Sequence, residues 1–209
     1  MQTSDQALAT PPPFAEPTAL GLFGLAIGCA SLLPIAFGSQ TALTATGLHT
    51  AAWFCLLFGG GCQFLAGLMS FANKNMLGGT LLTTFSFNWV MNWWALEGLA
   101  SGKPPNAEIV LAVDACFLLI FLVMTYAFGF FSKLLLVFLV DIDVLYVMRI
   151  ARELTHSTGF GLPIALATVV LMLLSLYIAF ALVLVNAAGR AILPIGGPLF
   201  KTGASPGDR

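Results

Sequence analysis

Charged residues in this chain stand in small clusters with long silent stretches between them. No Asp, Glu, Lys or Arg lies between Glu16 and Lys74, between Lys74 and Glu97, between Asp114 and Lys133, or between Glu153 and Arg190. A helix needs about 20 mostly apolar residues to cross the hydrocarbon of a bilayer, and its backbone must satisfy its own hydrogen bonds there. Short Pro, Gly, Ser and Asn punctuation subdivides the silent stretches, as at Gly38-Ser39-Gln40, Ala72-Asn73-Lys74-Asn75 and Ser101-Gly102-Lys103-Pro104-Pro105. The pattern predicts six spans, near Leu20 to Phe37, Thr50 to Phe71, Gly78 to Leu99, Ile109 to Phe130, Lys133 to Ile150 and Leu162 to Val185. The expected fold is an all-α integral membrane protein, a six-transmembrane-helix bundle over 17–190 with tails at 1–16 and 191–209.

Composition agrees with that division. Of 209 residues, 59% are hydrophobic and 8% charged, against about 25% charged in an ordinary soluble domain. The loops leave no room for a soluble catalytic domain, so the bundle is the functional unit. There is no P-loop, GxSxG elbow, HExxH helix or GxGxxG fingerprint, and no candidate nucleophile and base occur together. Neither an enzyme nor a cofactor is expected. Cys29, Cys55, Cys62 and Cys116 fall inside spans without metal-ligand spacing and read as packing residues. The absence of a basic tract argues against nucleic acid. Five basic residues, Lys74, Lys133, Arg190, Lys201 and Arg209, share the side of the termini, against Lys103, Arg149 and Arg152 opposite. That bias places both termini in the cytoplasm, in a plasma or bacterial inner membrane. The N-terminus, with Pro11-Pro12-Pro13 and no Lys or Arg, does not resemble a cleaved signal peptide.

Polar and small residues inside the spans are the candidates for function. Gly24 and Gly28 form a small-xxx-small step for close helix approach. The Gly59-Gly60-Gly61 run serves either close packing or a pore-lining backbone. Thr80, Thr84, Asn88 and Asn92 recur every four residues, a polar stripe that faces either another helix or a wet path. Asp141 and Asp143 lie near the middle of the fifth span, where a charge costs roughly 2.5 to 3.5 kcal/mol on insertion scales. Two positions apart on a helix is about 200° apart in direction, so one is expected at the lumen and the other against a neighbouring helix. They read as a proton or charge site, as protonated donors, or as partners of a basic residue elsewhere. Arg149 is expected to pair with Glu153 at i,i+4. Glu97, Glu108 and Asp114 read as water-facing carboxylates at helix ends, and His49 and His156 as interfacial.

Three segments resemble a known family. Glu16-Pro17-Thr18-Ala19-Leu20-Gly21-Leu22 is similar to an Asn-Pro-Ala-Pro-Leu-Gly-Leu opening. Leu65-Ala66-Gly67-Leu68-Met69-Ser70 followed by Asn75-Met76-Leu77-Gly78 is similar to a Phe-Ala-Gly-x-x-Glu segment with its Gly-rich turn. Gly189-Arg190-Ala191-Ile192-Leu193-Pro194-Ile195-Gly196 matches a closing Gly-Arg-x-x-Leu-Pro-x-Gly. In order and spacing the chain resembles the acetate uptake transporter family, also described as succinate/acetate permease-like or as the yeast ammonia and acetate export family. The resemblance implies six-helix protomers in a homo-hexamer, each with its own path for small monocarboxylates. It also implies an apolar constriction at Leu25, Phe85 and Ile142. Ser70 and Asn186 stand where the family has Glu, Glu16 where it has Asn, and Asp141 and Asp143 where it has neutral residues.

The expected function is therefore a channel or proton-coupled transporter for a small carboxylate such as acetate, with succinate as a further solute. An ionised aspartate at the constriction would repel an acetate anion, and a protonated one would not. A path for ammonia, ammonium or another small neutral or cationic solute is the alternative, as is a non-transporting membrane subunit whose aspartates pair with a partner.

Overall fold

Six long helices account for most of the chain in the computed structural model, which describes residues 11–201; residues 1–10 and 202–209 of the expected tails lie outside that range. They are α1 (Thr18–Ala36), α2 (Ala45–Ala72), α3 (Met76–Ala100), α4 (Ala107–Phe128), α5 (Lys133–Thr155) and α6 (Gly161–Ala188), the last preceded by a short turn at Thr158–Phe160. Each expected span finds its helix. The helices begin where a short polar side chain can accept an otherwise unpaired N–H. Thr44 Oγ1 accepts from Gly47 N at 3.2 Å, Asn75 Oδ1 from Gly78 N at 2.9 Å, and Asn106 Oδ1 from Ile109 N at 3.0 Å. Ser132 Oγ does the same for Leu134 and Leu135. At its far end α6 closes on Gly189, whose φ of 67° only a glycine adopts at no steric cost.

Four stretches, α1, α2, α4 and Thr158–Ala188, are long and apolar enough to cross a membrane on composition alone. The other two, α3 and α5, carry the polar stripe and the two aspartates. A helix with polar groups at membrane depth has to turn them toward protein or a wet cavity. The helices pack in the order α3, α2, α1, α6, α5, α4. The ring closes between its ends through Phe85 of α3 edge-on to Phe121 of α4, centroids 5.2 Å apart.

The middle of α2, Cys55–Cys62, is π-helical. Its wider turn surrounds Gly59-Gly60-Gly61 and lets two neighbours come close. A Cβ on Gly24 of α1 would strike the Phe58 carbonyl oxygen. On Gly28 it would meet the Trp89 indole at 2.9 Å, and Gly59 abuts the same indole from α2. Trp89 of α3 thus lies in a notch cut by glycines of two helices, which assigns Gly28 and Gly59 to packing. Gly61 faces outward with nothing nearer than 3.7 Å.

The terminal segments fold back on one end of the bundle. Phe14 exchanges backbone hydrogen bonds with the Asn73 amide at 3.0 and 2.9 Å. The closing Gly-Arg-x-x-Leu-Pro-x-Gly segment docks on the α4–α5 turn, where Ser132 Oγ donates to Ile195 O at 2.6 Å and Lys133 N to Gly197 O at 3.0 Å. Beyond it, Leu199 N and Phe200 N both donate to Gly129 O.

Gly24→Ala should destabilise the protein by about 1–3 kcal/mol through overpacking. Gly61→Ala should be neutral or stabilising by up to about 1 kcal/mol. Thermal unfolding of the two variants in detergent checks the pair: equal midpoints would mean the α1–α2 approach is not tight.

Candidate functional site

Two cavities lie end to end inside the ring. The one on the side of the termini has a volume of about 210 Å³ and is mainly apolar, with Leu81, Leu135, Phe138 and Ile178 in its wall. Glu16, Gln63 and Asn75 bring polar groups to it, and Ile195 of the docked C-terminal segment borders it. The other, of about 120 Å³, lies toward the opposite face and is lined by Cys29, Asn88, Trp89, Asn92, Tyr146, Arg149 and Thr168. Phe85 and Ile142 line both. These two side chains, 5% and 1% exposed, form the wall that the cavities share.

Leu25 is fully buried on α1 but is not among the residues lining either cavity. The α3 stripe divides. Four-residue steps on a 3.6-residue helix advance about 40° each, so the ends of the stripe differ by roughly 120°. Asn88 and Asn92 reach the smaller cavity, Thr84 lies in an outer groove between α3 and α4 beside Phe87 and Cys116, and Thr80 is half-buried. No single face of α3 carries all four.

Neither aspartate of α5 borders the two cavities; Ile142 between them does. The expectation that one would face the lumen is corrected here, because with about 100° per residue an inward Ile142 throws Asp141 and Asp143 onto opposite flanks. Asp143 is buried against α4, where Thr125 Oγ1 donates to its Oδ2 at 2.7 Å. Its Oδ1 has no partner, and neither does Oδ2 of Asp141. Among the described residues neither pairs with an Arg or Lys.

The basic end of α5 also differs from expectation. Arg149 Nη2 lies 3.1 Å from both carboxylate oxygens of Asp114, and Arg152 takes Glu153 at 3.2 Å. Asp114, expected at a water-facing helix end, is 2% exposed and ties α4 to α5. The Arg149 guanidinium also lies over the Tyr146 ring, 5.4 Å from its centroid. Tyr146 in turn donates its hydroxyl to Asn88 Oδ1 at 2.9 Å, joining α5 to α3. At the same end of the bundle, His49 Nδ1 is 2.7 Å from Glu97, which links α2 to α3.

Gln63 escaped the sequence reading altogether. It is 1% exposed, its Oε1 has no protein partner, and it borders the larger cavity, whose wall also includes Phe85 and Ile142. The π-helical segment just before it shifts the helical phase, so a 3.6-residue count from the start of α2 points it elsewhere.

No protein-family profile matches the chain, and no curated protein matches its sequence. Among solved structures, that of the bacterial acetate channel SatP matches with a TM-score of 0.77 at 21% identity, covering 88% of this chain and 99% of that one. The chain has the same fold as that channel. The shared architecture extends over nearly the whole of SatP, so this is a membrane-embedded six-helix bundle from α1 through α6, in keeping with the acetate-transporter resemblance of its motifs.

Removing one partner of a buried ion pair costs about 3–5 kcal/mol, because the other charge is left uncompensated. Arg149 is 26% exposed, so solvent screens the charge left by Asp114→Ala and the loss should lie below that range, at about 1–3 kcal/mol; Asp114→Asn combined with Arg149→Gln should recover most of it. A double-mutant cycle of unfolding in detergent measures this; additive effects would show that the pair is not coupled.

Proposed function

We propose that the protein is a channel or proton-coupled carrier for small monocarboxylates such as acetate. The observation that supports this most is the shared wall: two cavities that open toward opposite ends of the bundle and meet only at Phe85 and Ile142. A solute moving between them has to pass these two apolar side chains. An apolar gate of this kind favours a solute that carries few waters and is small enough to slip past a ring edge. That the fold is shared with a protein described as an acetate channel makes a small carboxylate the first solute to test.

In this reading Leu25 backs the gate from α1, and Asn88 and Asn92 offer amides that replace part of the solute's hydration shell. Gln63 does the same beyond the gate. Asp143, hydrogen-bonded to Thr125, latches α5 to α4. Asp141, whose Oδ2 has no partner, is the proton or charge site, and its charge state sets the potential an anion meets at Ile142. The terminal face is cytoplasmic, and the protomer assembles as a homo-hexamer whose outward apolar faces meet lipid and neighbouring copies. Native mass spectrometry from mild detergents should give six chains; monomer alone would remove that part.

Flux into proteoliposomes tests the reading. The parent should carry acetate better than succinate, ammonium or urea. Phe85→Leu should raise acetate flux roughly ten-fold, the equivalent of about 1.4 kcal/mol off the barrier, and admit succinate. Asp141→Asn should flatten the pH dependence of acetate flux, while Asp143→Asn should chiefly lower the yield of assembled protein. Ammonium flux without acetate flux would replace the carboxylate with a cation. No flux of any solute would return the chain to the class of non-transporting subunits.

A further inference from the structure

The smaller cavity holds more hydrogen-bond donors than the protein uses. A guanidinium has five N–H donors, and Asp114 engages Arg149 through Nη2 alone. No other side chain or backbone oxygen among the described residues accepts from Arg149. Tyr146 occupies Oδ1 of Asn88, which fixes the orientation of that amide and leaves its two N–H donors uncommitted. Asn88 and Trp89 are 4% and 3% exposed, and both line the cavity with Arg149. In the vestibule these donors are met by water or by a solute that accepts from them. The ligand that resolves the imbalance brings acceptors and no donors.

We propose that this vestibule is a binding site for the carboxylate group of a small solute, with Arg149 and Asn88 as its principal donors. An ionised carboxylate accepts through two oxygens and donates nothing. Its bonds to a guanidinium are charge-assisted, roughly twice as strong as neutral ones. A cavity of about 120 Å³ is room for on the order of four waters at about 30 Å³ each, which suits a solute of a few heavy atoms. Asp114 is a positioning residue: it lies behind Arg149, is not among the cavity-lining residues, and holds the guanidinium from the side away from the solute. Its negative charge also weakens the pull of the guanidinium on an anion, in keeping with a site on a conduction path, which has to release what it binds. The proposal rests on the carboxylate reading above and adds to it a place where the solute is held before Phe85 and Ile142.

The experiment reads binding and flux separately. Binding of acetate to purified protein is followed by the intrinsic fluorescence change of the tryptophans, and acetate flux by its half-saturating concentration in proteoliposomes. Acetamide, of the same shape without the charge, is the competitor. On the unmodified protein acetate should saturate the signal, and acetamide should compete roughly ten-fold more weakly or worse. The double variant Asp114→Asn with Arg149→Gln, which leaves no unpaired charge, should raise the half-saturating acetate concentration for both readouts by roughly ten-fold. Arg149→Lys keeps the charge, loses the fork, and should fall between the two. If the parent carries acetate and the variants saturate as it does, the site is overturned and the carboxylate reading stands. If the parent binds acetate in an Arg149-dependent manner but carries none, the site stands and the transport reading falls. Equal competition by acetamide on the parent overturns the site even where a variant fails to fold.

Discussion

Hydrocarbon offers no hydrogen bonds, and the arrangement of this protein follows from that constraint. Any amide, hydroxyl or charge at membrane depth has to find its partner inside the bundle or in a cavity the bundle encloses. Asn88 of α3 and Tyr146 of α5 find each other across the interior, while Asp114 and Thr125 of α4 serve Arg149 and Asp143 of α5. The other helices complete the ring. Glycines on α1 and α2 let the Trp89 indole sink between those helices, and this holds α3 near enough to α5 for Phe85 and Ile142 to share one wall. The small residues and the apolar wall are thus parts of one packing problem.

Charge is handled in two ways along α5. At its end Arg149 is compensated by Asp114 of α4, a pair that joins two helices and still presents a guanidinium to a cavity. In its middle, Asp141 and Asp143 straddle Ile142 without basic partners, and one hydroxyl, that of Thr125, serves Asp143. The cavity on the Arg149 side and the larger one beyond the wall are both bordered by Ile142, while the two carboxyl groups lie on the flanks of α5, outside either cavity. The side chain that borders the cavities at this depth is thus Ile142, not its acidic neighbours.

The helices were legible in the sequence because silence in charge over about 20 residues has few other causes. Helical spacing alone also foretold that Asp141 and Asp143 would take different surroundings. It did not say which residue faced in, because the phase of α5 is set by its neighbours. Asp114 was misread since its partner lies 35 positions on in another helix, and six residues after Glu108 it looks like part of a solvated helix start. Gln63 was missed because the π-helical turn at Cys55–Cys62 breaks the period on which such readings depend. The resemblance pointed to Phe85 and Ile142, and the fold brings both to one wall; Leu25, from the same resemblance, is buried beside the cavities rather than in them.

The central claim is that two half-paths from opposite membrane faces meet at Phe85 and Ile142. Accessibility of single cysteines tests it most directly, with Asn92→Cys in one vestibule and Leu135→Cys in the other, each in a background where the four native cysteines are alanine. In sealed vesicles a small membrane-impermeant thiol reagent should modify each position from one face only, and the two from opposite faces. Modification of both from the same face, or of either from both faces, would contradict a divided path through this bundle.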